Sequence, residues 1–208
     1  LAHPAAAELA HRLAGLMPTP ARHVLFASDG ASAVEQALKI AVQHAHQTGH
    51  PERRRFACLR DAYHGDTFGA MSMGYLEHFH APFRSLLLEA DRLPLPVGPG
   101  LDEALAILGS RAREYAAVVV EPLCLGAAGM RMYPAAGLRR LAEWCRANGV
   151  LLIDDEIAMG FGRTGRMFAF EHAQVDPDIV CVGKALAAGY LPISATIVRD
   201  SIYDTFDD

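Results

Sequence analysis

The 208 residues are enough for one hydrophobic core, and a hydrophobic share of 51% with 21% charged residues is the balance of a soluble globular protein. A formal charge of −5 gives no basic surface for nucleic acid, and no apolar run approaches the length of a membrane span, so both classes of partner are excluded. Leu1 to Met17 is broken by His3, Pro4, Glu8, His11 and Arg12, unlike a signal peptide, and the expected location is the cytoplasm.

The chain opens at Leu1 without a methionine and stops at Asp207-Asp208 just after a helix begins, so a domain incomplete at both ends is expected. Cys58, Cys124, Cys145 and Cys181 have no paired spacing and read as reduced core residues. The ten histidines are dispersed and match no ligand pattern; they read as solvated side chains, with no metal site expected.

Helical and extended segments alternate along the chain. Pro4 to Met17 carries Leu9, Leu13 and Leu16 on one stripe, and Pro18 and Pro20 stop it. His23 to Ala27 reads as a strand, followed by Ser28-Asp29-Gly30-Ala31-Ser32 and a helix with Val34, Ala37, Leu38 and Ala41 on one face. A strand, a glycine turn and a helix start can hold an anion on free backbone N–H groups; a plain N-cap by Asp29 or Ser32 fits equally well. Arg55 to Leu59 is a further strand, leading into Asp61-Ala62-Tyr63-His64-Gly65-Asp66-Thr67. Tyr63 beside Gly65 can lay its ring on a flat cofactor or simply pack under the loop.

Tyr75 to Pro99 has no clean period and four prolines, and reads as an irregular excursion. Asp102 is expected to cap a helix with Leu101, Leu105 and Leu108 on one side. Ala116 to Val120 is a buried strand ending at Glu121-Pro122, and the helix from Ala135 to Asn148 stops at Gly149. Glu121 suits a substrate amine or an arginine, and equally a cap or a surface ion pair. After Gly189 and Pro192 comes a strand from Ile193 to Val198, then a helix from Ser201. This alternation predicts an α/β protein, a three-layer αβα arrangement around a mainly parallel sheet, in one domain spanning residues 1–208.

Two strand ends carry the chemistry. Val150 to Asp155 is an apolar strand that stops abruptly at carboxylates, and Ile179 to Val182 ends in Gly183-Lys184. Ligands of open α/β sheets collect at the carboxyl ends of strands. Taken alone, a lysine such as Lys184 leaves the sheet and points into water. Paired with Asp155 it suits pyridoxal phosphate, whose aldehyde takes an amine while a carboxylate keeps its ring nitrogen protonated. Burial at the strand end is expected to strip the amine of hydration and favour its neutral, nucleophilic form.

These residues resemble the class III family of pyridoxal-phosphate aminotransferases, of fold type I. The resemblance covers essentially the whole chain, which would form the cofactor-binding large domain of a longer family member. It is carried by Leu152-Ile153-Asp154-Asp155-Glu156-Ile157-Ala158-Met159-Gly160-Phe161-Gly162-Arg163-Thr164-Gly165 together with Gly183-Lys184-Ala185, at the family's separation. It implies that Lys184 carries the cofactor and that Asp155 pairs with the pyridinium nitrogen. It also implies that Gly30 and Ala31 hold the phosphate, and that Tyr63 stacks near the ring and lines the substrate site.

Within the family, Tyr63-His64-Gly65-Asp66-Thr67-Phe68-Gly69-Ala70-Met71-Ser72 and Gly129-Met130-Arg131-Met132-Tyr133 are most similar to the biotin-synthesis branch. That branch uses S-adenosylmethionine as donor and 8-amino-7-oxononanoate as acceptor, and makes 7,8-diaminononanoate. The resemblance further implies a homodimer when full length, and little activity from these residues alone. Three departures stand out: Asp29-Gly30-Ala31 where the family usually has Ser-Gly-Ser, Leu125 where a glutamine commonly follows the Glu-Pro pair, and Ala128 in place of a glycine.

Other readings keep the same cofactor residues. They are an aminotransferase for ω-amino acids, ornithine or 4-aminobutyrate, an aminomutase, and a non-catalytic piece of such an enzyme. A Rossmann nucleotide-binding module explains the strand, Gly30 and the helix, but it needs a G-x-G-x-x-G turn and gives Lys184 no role.

Overall fold

The computed structural model describes residues 3–19 and 21–206; Leu1, Pro20 and Asp207-Asp208, invoked above, lie outside the described residues. Pro4 sits in the first turn of α1 (Pro4–Gly15), where its missing N–H costs nothing. Strand β1 (Arg22–Ala27) feeds α2 (Gly30–Gln47), and β2 (Arg55–Leu59) feeds the short α3 (Phe68–Met73).

The stretch read as irregular contains α4 (Glu77–His80), a 3₁₀ turn (Ala81–Leu86) and an edge strand, β3 (Ala90–Leu93). Ala90-Asp91-Arg92-Leu93 has too few apolar residues to announce a strand; pairing with β2 makes it one. Helix α5 (Pro99–Ser110) starts earlier than expected. Gly98 caps it and Pro99 takes its first turn, which leaves Asp102 inside that turn rather than at the cap.

Strand β4 (Tyr115–Val120) is wholly buried, and the loop after it folds into a hairpin, β5 (Cys124–Leu125) with β6 (Arg131–Met132). Helix α6 (Ala135–Asn148) ends at Gly149 with φ +62°, the left-handed C-cap that glycine adopts without strain. Strand β7 (Leu151–Asp155), helix α7 (Phe170–Ala173), strand β8 (Ile179–Val182), strand β9 (Ser194–Arg199) and helix α8 (Asp200–Tyr203) complete the order.

Seven strands form one sheet in the order β1-β9-β8-β7-β4-β2-β3. Strand β9 runs opposite to the other six, so the carboxyl ends of β1, β2, β4, β7 and β8 open on one edge. Helix α2 packs on one face through Ala33, Val34, Ala37, Leu38 and Ala41. Helices α1, α5, α6 and α7 cover the other, with Leu13, Leu108, Leu138, Leu141 and Phe170 against Val118, Val120 and Leu152. With both faces covered, the central strands read as continuous apolar runs, and each large side chain buried there contributes about 1.5–3 kcal/mol. The four cysteines are free and buried in this core. No helix among the described residues is long and apolar enough to cross a membrane.

Candidate active site

The edge where the parallel strands end encloses a cavity of about 770 Å³, lined by residues that include Gly30, Ala31, Tyr63, Glu121, Asp155 and Lys184. Its size is that of a small-molecule or cofactor site. Asp155 is the last residue of β7 and 3% exposed. The alternation of the strand places it on the α2 face with Ile153, and both its oxygens are engaged. Oδ2 lies 2.7 Å from His64 Nδ1, and Oδ1 accepts the Ile157 N–H at 3.1 Å.

His64 is itself 2% exposed, with its Nε2 buried and unpaired. The reading of the histidines as solvated side chains is therefore corrected for His64 and for His80, also 2% exposed. The signal for His64 was its place directly after Tyr63. Periodicity could not show it, because the partner that buries it is 91 residues away.

Lys184 enters the same cavity from the end of β8, on the far side of Gly183. It opens a 3₁₀ turn with φ +41°, a left-handed conformation that costs a non-glycine residue about 1–3 kcal/mol and that clusters at functional sites. The expected burial is not found: the strand is buried through Gly183, and Lys184 is exposed. The physical reason is that residue 184 lies two residues past the end of β8, beyond the last strand pairing at Val182.

Helix α2 points its amino terminus into the cavity with Gly30 and Ala31. A Cβ on Gly30 would stand 2.9 Å from Ile157 Cδ1, so any larger residue would have to displace the Ile157 side chain that follows Asp155. The cap is Asp29, which accepts the Ser32 N–H at 2.9 Å and the Ser32 hydroxyl at 2.7 Å. Those bonds, the backbone one foremost, hold the Asp29 carboxyl below the usual range. The Ser32 hydroxyl is thus turned onto Asp29, and a carboxylate shares the helix terminus with any anion bound there.

Tyr63 forms a side wall. Its N–H donates to Glu121 Oε1 at 2.8 Å, while the Gly126 N–H donates to Glu121 Oε2 at 3.0 Å. Glu121 is 3% exposed and so fastens two loops together beneath the cavity, neither a surface ion pair nor a helix cap. Burial pushes its carboxyl up. Gly65, at φ +123°, lets the Tyr63 loop lie against Ala31, where a Cβ would come within 2.4 Å of the alanine methyl. Arg163, from the glycine-rich loop after β7, also lines the cavity; the sequence offered it only as part of a motif. The arrangement brings a buried carboxylate, an accessible amine, an aromatic ring and a helix terminus around one space.

The sequence matches the class III aminotransferase family over residues 1–208. It is 44% identical over 214 residues to the adenosylmethionine-8-amino-7-oxononanoate aminotransferase of Synechococcus elongatus, covering 98% of this chain and 50% of that protein. The crystal structure of the enzyme of that name from Methanocaldococcus jannaschii superposes with a TM-score of 0.95 at 38% identity, over 99% of this chain and 48% of that one. An amine transaminase from an uncultivated Pseudomonas species, solved in a PLP-bound form, gives a TM-score of 0.91 at 36% identity, over 100% of this chain and 50% of that one. The chain spans about half the length of the curated relatives it matches. With the family matched from end to end and the sheet superposing on solved transaminases, the chain belongs to the class III aminotransferases.

Proposed function

We propose that the full-length protein is a pyridoxal-phosphate-dependent aminotransferase that converts S-adenosylmethionine and 8-amino-7-oxononanoate to 7,8-diaminononanoate in biotin synthesis. Residues 1–208 would be the main part of its cofactor-binding large domain, in a cytoplasmic homodimer. The observation that carries the reading is that Asp155 and Lys184, from two adjacent parallel strands, line one cavity together with Tyr63 and the start of α2. The choice of substrates is supported by relatives of that name at 37–44% identity.

The donor set fits this cofactor. Bound there, it would supply a sink for the electron pair left when a proton leaves the carbon that bears the amino group. Asp155, fixed by His64 and by the Ile157 N–H, would hold the pyridinium nitrogen in its protonated form. Lys184 Nζ would carry the cofactor and, once displaced by the donor amine, move a proton at the donor carbon. Gly30 and Ala31 would receive the phosphate at the helix terminus, and Tyr63 would stack beside the ring and border the substrate. Lys184→Ala in the full-length protein should abolish both turnover and the visible absorbance of the lysine-bound cofactor. Retention of both would rule the reading out. Turnover is expected of the full-length protein and not of the isolated 208 residues.

A further inference from the structure

Beside the first cavity lies a second, of about 530 Å³, lined by Tyr63, Asp66, Phe68, Met71, Phe79, His80, Phe83 and Ala127. Tyr63, Asp66 and Ala127 face both spaces, so whatever fixes Tyr63 and Asp66 shapes the candidate active site from behind. At the back of this wall is His80, the last residue of α4. Its Nδ1 accepts the Leu76 N–H at 3.0 Å. An imidazole that accepts at Nδ1 carries its proton at Nε2, so the ring presents an N–H on the opposite side. That Nε2 is buried and has no hydrogen bond, although Asp66 Oδ1 lies only 3.5 Å away.

The Asp66 side chain itself is 72% exposed. Its other oxygen, Oδ2, accepts the Tyr63 hydroxyl at 2.9 Å. The Tyr63 ring also lies nearly parallel to the His80 ring, at 18° and 6.1 Å between centroids. Two donors therefore converge on the two oxygens of one carboxylate. A small rotation of that exposed side chain would turn the 3.5 Å approach into a hydrogen bond and relieve the buried N–H of its missing partner.

We infer that His80 is a positioning residue: its buried Nε2–H anchors the Asp66 carboxylate, and Asp66 in turn fixes the hydroxyl and ring of Tyr63 at the wall of the first cavity. The kinetic part of this inference rests on the function proposed above; the geometric part does not. Without the anchor, an exposed carboxylate drifts into solvent and releases the Tyr63 hydroxyl. The wall then has to be ordered by each incoming substrate, which weakens apparent binding more than it slows the step after binding.

The two nitrogens of His80 can be separated by substitution. His80→Asn keeps an acceptor for the Leu76 N–H and deletes the donor aimed at Asp66. His80→Gln weakens that acceptor and restores an N–H at the reach of Nε2. In the full-length holoenzyme, His80→Asn is expected to raise KM for the amino substrate about tenfold, the loss of one hydrogen bond's worth of ordering, with a smaller change in kcat. His80→Gln should recover most of that loss despite a lower thermal midpoint.

A readout independent of turnover is the ring ¹³Cζ resonance of Tyr63 at neutral pH, assigned with Tyr63→Phe. It should move toward the free-tyrosine position in His80→Asn and in Asp66→Ala, and return in His80→Gln. The double variant of His80→Asn with Asp66→Ala should behave as Asp66→Ala alone, because both changes cut the same chain. A purely structural His80 gives the reverse order, with His80→Asn near wild type and His80→Gln impaired, and that result would overturn the inference. So would an unmoved Tyr63 resonance in His80→Asn, or additive effects in the double variant. A full-length wild-type protein with no transaminase activity would sink the proposed function while leaving the resonance test of His80 intact.

Discussion

Strand β7 presents two acid environments one residue apart. Asp155 faces α2, where His64 and the Ile157 N–H occupy its two oxygens. Asp154 and Glu156 face the opposite core. There Asp154 has no hydrogen bond to either oxygen, and Glu156 Oε1 accepts the Phe170 N–H at 3.0 Å while its Oε2 is bare. All three side chains are almost wholly buried, so depth does not distinguish them. Partners do. Burial without compensation pushes the Asp154 carboxyl well up, and burial, partly offset by backbone donors, raises that of Glu156 to about 8. One face holds a carboxylate placed by donors, while the other holds acids whose charge has been made costly by desolvation.

The sharpest way to test this contrast is to neutralise each face in turn in the full-length protein. Asp155→Asn removes the charge from the cavity and keeps the shape. It should lower kcat/KM by about 10²–10³-fold, the range for deleting one preorganised electrostatic partner, with little change in thermal midpoint. Asp154→Val removes an acid whose oxygens have no partner. It should leave turnover in place and raise unfolding free energy by about 1–3 kcal/mol in denaturant titrations. A comparable loss of turnover in both variants would show that the two faces are not functionally separate.

The contrast also has a pH signature. Glu156 titrates near 8 in the fold against 4.5 for the ordinary carboxyl, so between those values the folded state holds a proton that the unfolded state has lost. Its contribution to stability is complete below about 4.5 and is lost as the pH rises toward 8, at up to about 1.4 kcal/mol per pH unit. Denaturant midpoints measured from pH 5 to 9 should therefore fall up to about pH 8 and level off above it, and Glu156→Gln should flatten that fall. An unchanged slope in the variant would mean that some other group is responsible.

The smallest effect concerns the phosphate end of the cavity. Asn is as good an N-cap as Asp, so Asp29→Asn keeps the Ser32 bond while removing a negative charge from the helix start. Titrating the apoprotein with pyridoxal phosphate should show affinity rising about two- to fivefold, as expected from about 0.3–1 kcal/mol for a charge at a helix terminus. Weaker binding would imply that Asp29 helps to build the phosphate pocket rather than competing for it.

Much of the fold was legible because its central strands advertise themselves. Ala116 to Val120 and Ile179 to Val182 are unbroken apolar runs, and Gly149 marks a helix end by the only conformation it needed to supply. Edge elements were not. Strand β3 and the β5–β6 hairpin are two to four residues long, and pairing rather than composition makes them strands. In the site, Asp155, Lys184 and the Gly30 turn could be singled out because each stands at or just past the end of a strand or at the start of a helix, and Tyr63 because it is an aromatic beside a glycine in a strand-to-helix loop.

The sequence by itself determined the order of the central strands and the long helices and which polar residues would terminate them, since both follow from local pattern along the backbone. Only the tertiary structure decided which of those residues share one space. His64 beneath Asp155, Glu121 fastening two loops, and His80 behind Tyr63 are contacts set by strand order and loop packing, which periodicity does not encode. Exposure was decided there too. Lys184 follows five buried residues, Ile179 to Gly183, and is nevertheless open to solvent, because a side chain's hydration depends on what packs across from it.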